Sequence, residues 1–397
     1  MKPARAMEAL TALLQPQGIK VVTTGVDELG AYLQARYGSL DPAVIDRAWR
    51  ERLERIATAR VLLLGVPMDL GAGFERGAFK GPLGIRSQLL KVSGLYARME
   101  DLGVVDLGDV RVNPSLLSDG YLSERVKRAV RQARGQDPWD DKLPVAPLSI
   151  LKRVLRVVEK LNPAARVLLL GGDHSLSMVS AVHLARRQDN ENRSLGVVHF
   201  DAHTDLLRER DGLRCSFATW AHHANDALGR GGRLQQLGIR ISGLTREEWE
   251  RDLSVRQFWS EEILQRGTDE VVAEVVANLQ RVGVRRVYVS NDVDGTDPRW
   301  GAATGTMVRG GMTPDFVASV VRRLGEVFAV VGADVTELAP PLKWHVPGEP
   351  ARSTRTAAHY ALAQLDALLA GETRFRDELP PPEPATEEEV WALPPLA

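Results

Sequence analysis

VLLLGGDHSLS, residues Val167 to Ser177, sets an unbroken apolar run against two glycines, an acid and a histidine. Four consecutive aliphatic residues ending at a glycine pair read as a strand buried on both faces, the kind that fills a parallel sheet. Asp173 and His174 begin where that run stops. In an open parallel sheet, the turn after a strand lies beyond its carboxyl end, where ligand sites form.

Working outward, comparable runs lie at Val61–Gly65, Val104–Leu107, Leu195–Phe200, Arg286–Ser290 and Phe328–Val331. Between them, Leu148–Leu161, Glu270–Val282 and Pro314–Val327 repeat apolar residues every three to four positions and predict helices. This alternation predicts an α/β fold with a mostly parallel central sheet covered by helices. Residues 1–58 read as a helical extension, with a helix from Asp41-Pro42 through Ile56 and no part in the sheet. Residues 59–372 form one large domain that carries the chemistry, and 373–397 a proline-rich, acidic tail that serves as an arm.

Lysine and arginine total 51 against 52 aspartates and glutamates, a net charge of -1. That balance provides no broad field for nucleic acid or an anionic membrane. No apolar run is long enough to cross a bilayer. Cys215 is the only cysteine, which excludes an intrachain disulfide and fits a reducing, cytoplasmic setting. Gly71-Ala72-Gly73-Phe74-Glu75-Arg76-Gly77 misses the dinucleotide-binding fingerprint by one residue.

The chemistry gathers at strand ends. Past Phe200 comes Asp201-Ala202-His203-Thr204-Asp205, and extended backbone puts Asp201, His203 and Asp205 on one face. Asp292 and Asp294 repeat the pattern within SNDVDGTDP at Ser290–Pro298. With His174, two imidazoles and four carboxylates converge. One Asp-x-His-x-Asp alone serves equally well as a capping or ion-pair cluster, but four uncompensated carboxylates together repel one another. Two divalent ions sharing carboxylates would hold them and leave room for a water. Imidazole and carboxylate ligands without thiolate favour a hard or borderline ion, with manganese as the default and nickel or cobalt also compatible.

GGDHS at Gly171, DAHTD at Asp201 and SNDVDGTDP at Ser290 resemble the metal-binding signatures of the ureohydrolase (arginase and agmatinase) superfamily. Gly65–Asp69, Gly81–Arg86, Asp106–Asp109 and Gly332–Pro340 resemble its other elements, so the likeness covers about Ala59 to Ala370. The resemblance implies a three-layer α/β/α sandwich assembled as a homo-trimer or homo-hexamer. It implies two manganese ions bridged by Asp201 and Asp292, with His174 and Asp205 completing one site, His203 and Asp294 the other, and Asp173 behind the ligands. Asp205 would handle a proton of the attacking hydroxide, and Glu337 would pair with a guanidinium substrate, releasing urea. The charge count agrees, since the hydroxide and Glu337 leave the cavity suited to a cationic planar head group. A formimidoylglutamase-type hydrolase releasing formamide and a non-catalytic metal-binding subunit are the alternatives.

One departure bears on the substrate. Where many relatives carry a histidine in an HG motif, this chain reads CSFATW at Cys215–Trp220, with Ser216 in the histidine's place. His222 and His223 follow and are candidates for the proton shuttle, His222 foremost. Phe217 and Trp220 would narrow the pocket, so compact or short-chain guanidino compounds, guanidine itself included, are expected ahead of arginine. Arg208, Arg210 and Arg214 in the preceding loop could receive a substrate carboxylate, although Glu209 and Asp211 favour a solvated charged loop. Cys215 reads as a small buried hydrophobe rather than a reactive thiol.

Overall fold

Alternation along each strand sends neighbouring side chains to opposite faces. Val61, Leu63, Leu168 and Leu170 therefore enter one core, and Leu62, Leu64 and Leu169 enter another across the sheet. Helices Gly81–Lys91, Pro314–Val327 and Ala351–Leu368 close the first; Pro3–Leu13, Pro42–Leu53 and Pro147–Leu161 close the second. A sheet with two apolar faces and helices on both is a three-layer α/β/α sandwich.

The computed structural model describes residues 3–18, 26–72, 75–187, 194–342 and 346–391. Gly73 and Phe74 of the glycine-rich stretch, parts of the extension and residues 392–397 of the tail lie outside the described residues. The strands are β1 (Leu14–Gln15), β2 (Val61–Gly65), β3 (Val104–Val110), β4 (Arg166–Leu170), β5 (Leu195–Phe200), β6 (Leu234–Ile239), β7 (Arg256–Trp259), β8 (Arg286–Asp292) and β9 (Ala329–Thr336). Their order is β1-β3-β2-β4-β9-β8-β5-β6-β7, and every pair is parallel except β1 with β3. Four adjacent strands, β4-β9-β8-β5, thus present their carboxyl ends side by side.

All six expected strands and the three helices expected between them form, and local signals explain their limits. Pro147 starts the helix that ends at Leu161, and the Asn162 side chain beyond it donates to the carbonyls of Ile56 and Ala59 at 2.8 Å each. Thr313 caps Pro314–Val327 by accepting the Phe316 amide at 3.2 Å.

The two termini differ from expectation. The extension does enter the sheet: β1 pairs antiparallel with β3, Leu14 opposite Val110. A two-residue strand has no periodicity to read, which is why sequence pattern misses it. Ala6, Leu10, Leu13, Trp49 and Leu53 are fully buried and share a core with β2 and β4, so the extension packs as part of the domain. The tail is docked rather than a free arm. Leu379, Ala385 and Val390 are buried, the Ala385 amide donates to Arg299 O at 2.7 Å, and a short helix forms at Glu387–Trp391.

Candidate metal centre

The glycine pair after β4 is required by crowding. A Cβ on Gly172 would stand 1.9 Å from Met68 O, and one on Gly171 would stand 2.6 Å from Val335 O. With β2 and β9 pressed so close, the chain turns tightly and places His174 at the start of helix Ser175–Ala185. Asp173 turns away from the centre. It accepts the Gly71 amide at 2.8 Å and the Ser175 amide at 3.0 Å, clamping the neighbouring loop, and burial pushes its carboxyl up to about 6.

His174 is wholly buried, and its Nε2 lies 2.9 Å from Ser290 Oγ. Ser290 spends its one proton on Asp334 Oδ1 at 2.9 Å, so it can only accept from His174, which places the imidazole proton on Nε2. In the neutral imidazole Nδ1 then carries the lone pair. It sits 3.0 Å from Asp292 Oδ2, 3.2 Å from Asp201 Oδ2 and 3.3 Å from Asp205 Oδ2 and makes no hydrogen bond to any of them. A lone pair facing three carboxylates has the donor chemistry of a cation site. Without a cation, burial would lower the His174 pKa, but the three carboxylates outweigh it and hold the value well above 6.5.

The second half of the cluster lies across Asp201. His203 Nδ1 is 3.4 Å from Asp201 Oδ1 and 3.1 Å from Asp294 Oδ2. His203 is half-buried while the aspartates are buried, so the cluster opens to solvent on this side. Burial alone would lower the His203 pKa, yet Asp294 and Asp201 push it up to about 12. Burial, then Asp294 and Asp201, drives the Asp292 carboxyl well above its usual range. These shifts describe negative charge in want of a positive partner.

All six expected ligands therefore converge. His174, Asp205, Asp201 and Asp292 meet on one side, and His203, Asp294 and Asp201 on the other. Their oxygens are tethered: Asp201 Oδ1 takes the His203 amide at 2.6 Å, Asp292 Oδ1 the Asp294 amide at 2.8 Å, and Asp294 Oδ2 the Thr306 hydroxyl at 2.7 Å. Asp205 reaches the cluster through a left-handed backbone (φ 52°) that strand alternation alone does not provide. Glu337, beyond β9 and also left-handed (φ 59°), accepts the His174 amide at 2.7 Å; its other oxygen has no hydrogen-bond partner among the described residues. Burial, with Asp292 and Asp173 nearby, raises the Glu337 carboxyl well above its usual range.

His222 is not brought into the cluster. Its Nδ1 lies 3.2 Å from Leu206 O and its Nε2 3.5 Å from Asp226, while His223 reaches Arg208 O at 3.0 Å. Ser216 is buried in a short turn with its hydroxyl on Thr219 Oγ1 at 3.3 Å. Trp220 is wholly buried against His174 and His199, ring centroids 4.7 Å from each, and its Nε1 donates to Asp205 Oδ2 at 2.9 Å. It thus holds the Asp205 carboxylate in place, a closer engagement than narrowing a pocket. Arg208, Arg210 and Arg214 lie in an exposed loop, Arg210 over the Phe217 ring at 4.9 Å.

Sequence reasoning missed His199. Its Nε2 is 2.8 Å from Asp201 Oδ2, and it groups geometrically with His174, Asp201 and Asp205 as a cation site, beside the second group Asp201, His203 and Asp294. The hydrogen bonds argue for a different place. Gln236 Nε2 approaches His199 Nδ1 at 3.0 Å and Gln257 Nε2 donates to Gln236 Oε1 at 2.9 Å, so the His199 proton sits on Nε2 and is donated to Asp201. Two consecutive glutamines, Gln235-Gln236, inside the otherwise apolar β6 were the available signal.

A parallel α/β sheet presenting a twofold carboxylate–imidazole cluster at four adjacent strand ends defines a protein with a candidate binuclear metal centre. The chain matches the arginase family over residues 59–365 and belongs to that family, the ureohydrolases, which act on C–N bonds in linear amidines. It is 31% identical to a guanidinopropionase of Pseudomonas aeruginosa over 294 residues, 72% of this chain and 80% of that protein. It is 28% identical to a guanidinobutyrase of the same species over 286 residues, 70% of this chain and 78% of the relative. Among solved structures, proclavaminate amidino hydrolase from Streptomyces clavuligerus superposes with a TM-score of 0.57 at 26% identity, covering 78% of this chain and 92% of that one.

Proposed function

We propose that this ureohydrolase uses two manganese ions to hydrolyse a compact or short-chain guanidino compound to urea and an amine. The observation that carries the reading is His174 Nδ1, without a hydrogen bond, held among Asp201, Asp205 and Asp292, with Glu337 on the His174 amide. His174 and Asp205 would complete one ion's ligands, His203 and Asp294 the other's, with Asp201 and Asp292 shared. Two divalent ions bound there supply a water whose pKa falls toward neutrality. Asp205, pinned by Trp220, takes up and returns a proton as the C–N bond breaks. The uncommitted oxygen of Glu337 faces a guanidinium as a charge-assisted acceptor.

A short substrate is the expectation because a small leaving amine leaves room for Asp205 or a water to deliver its proton. An alkylamine leaves poorly unless protonated, and the Ser216 hydroxyl that stands for the family histidine is tied into its turn. The relatives named for guanidinobutyrate and guanidinopropionate support short chains. The test is kcat/KM for arginine, agmatine, guanidinobutyrate, guanidinopropionate and guanidine on preparations loaded with manganese, nickel or cobalt. Arginine or agmatine ahead by tenfold or more, about 1.4 kcal/mol, would overturn the substrate reading.

A further inference from the structure

A cavity of about 1030 Å³ lies outside the metal centre. Its volume lies at the upper limit of small-molecule sites. None of the six cluster residues lines it, although its walls share two elements with them. One is helix Ser175–Ala185, which starts beside His174; the other is the segment at Arg214 and Cys215 that descends from Asp205.

The lining is strongly positive in a chain whose net charge is -1. Lys152, Arg156 and Lys160 stand at four-residue intervals on one face of helix Pro147–Leu161, and Arg186 and Arg214 face them from other elements. Like charges at that spacing destabilise a helix, so the row has a local cost that needs an offset. The two acids in the lining do not provide it. Glu159 is engaged by His183 at 3.5 Å and Arg187 at 3.6 Å, and Asp226 by Arg230 at 2.8 Å. Lys152, Arg156, Lys160 and Arg186 make no ion pair among the described residues. Between the cations, Met178, Val179 and Val182 give an apolar floor.

We propose that this cavity is a second ligand site, for a small amphipathic polyanion: a planar apolar body on the methionine and valine floor, with several sulfate- or phosphate-type charges against the lysine and arginine wall. The sign of the field separates it from the substrate site, because a guanidinium is repelled here and attracted by the aspartate cluster. The site is new relative to the ureohydrolase reading and does not depend on it.

The trisulfonated pyrene dye pyranine serves as the probe, added to metal-loaded protein at low salt and followed by fluorescence anisotropy. The expected result is saturation at one dye per chain, weakened at least tenfold in Lys152→Glu/Arg156→Glu and left unchanged in Arg322→Glu/Arg323→Glu, which removes equal charge elsewhere. Ala227→Trp, which fills the cavity without touching its charge, is expected to weaken binding by a similar factor. Failure to saturate, equal loss in the two charge-reversed variants, or full binding in Ala227→Trp would each overturn the proposal. Urea release by the same variants, measured in parallel, reports on the catalytic reading separately.

Discussion

His199→Phe separates a metal ligand from a group that only orients one. Phenylalanine keeps a planar ring beside His174 and Trp220, whose centroids lie 5.0 and 4.7 Å from that of His199, but it loses the 2.8 Å donation to Asp201 Oδ2. Gln236 is not stranded by the change, since its amide also donates to Thr204 O at 2.6 Å. The effect therefore concentrates on Asp201, a carboxylate common to both halves of the cluster. Losing a hydrogen-bond partner of a ligand typically costs about 10- to 100-fold in metal affinity, or about 1.4–2.8 kcal/mol. Titration of manganese against a competing chelator measures the affinity, and metal content at saturation measures the stoichiometry. The expected variant binds more weakly but fills to the same two ions per chain. A drop to one ion would show that His199 is itself a ligand. Affinity within twofold of the parent would show that the contact to Asp201 does nothing for metal binding.

Glu337→Gln should keep the His174 amide contact through the amide oxygen, leave metal content intact and lower kcat/KM by about 2–5 kcal/mol, the range for removing one partner of a buried charged pair; loss of metal with unchanged kinetics in the remaining holoenzyme would make Glu337 structural. Arg86 is fully buried and pairs with Asp106 at 2.8 Å and Asp109 at 2.6 Å, so Arg86→Met should destabilise the fold by about 3–5 kcal/mol by stranding two acids. An unchanged urea-denaturation midpoint would contradict that account.

The sheet was legible because its central strands are apolar on both faces. Val61–Gly65 and Leu195–Phe200 have the limits their composition suggests. The strands that escaped reading are those whose composition hides them. β6 buries Gln235 and Gln236 completely, and a polar pair in a short run looks like a loop until the sheet that satisfies Gln236 is in view. The clustering of the six aspartates and histidines was legible because those residues at strand ends have few other uses in that number. Trp220 and His199 were not, because their part is set by what lies across the fold, fifteen residues from Asp205 in one case and across three strands of glutamine and histidine side chains in the other. His222 shows the converse: nearness in sequence to Ser216 suggested a role, but its helix turns the ring toward Leu206 O.

The residues before the family match bear on the site through packing. If the sheet ended at β3, that strand would offer an open edge, a standing invitation to pair with another chain. The extension closes it: β1 pairs with Val110 and Asp109, Trp49 Nε1 donates to Leu107 O at 2.9 Å, and the Gly18 amide donates to Asp109 Oδ2 at 3.1 Å. Asp109 is the acid that Arg86 holds at 2.6 Å, and Arg86 belongs to helix Gly81–Lys91. The first residue of that helix is so close to the site turns that a Cβ there would meet Gly171 O at 2.7 Å and Leu338 O at 2.9 Å. Gly171 leads to His174, and Leu338 follows Glu337. The edge that the extension covers is thus joined, through one buried ion triad and one tightly seated helix, to the two turns that place the His174 imidazole and the Glu337 carboxylate beside it. Close packing transmits small displacements rather than absorbing them, so the extension that shields the sheet edge also helps fix the position of the chemistry.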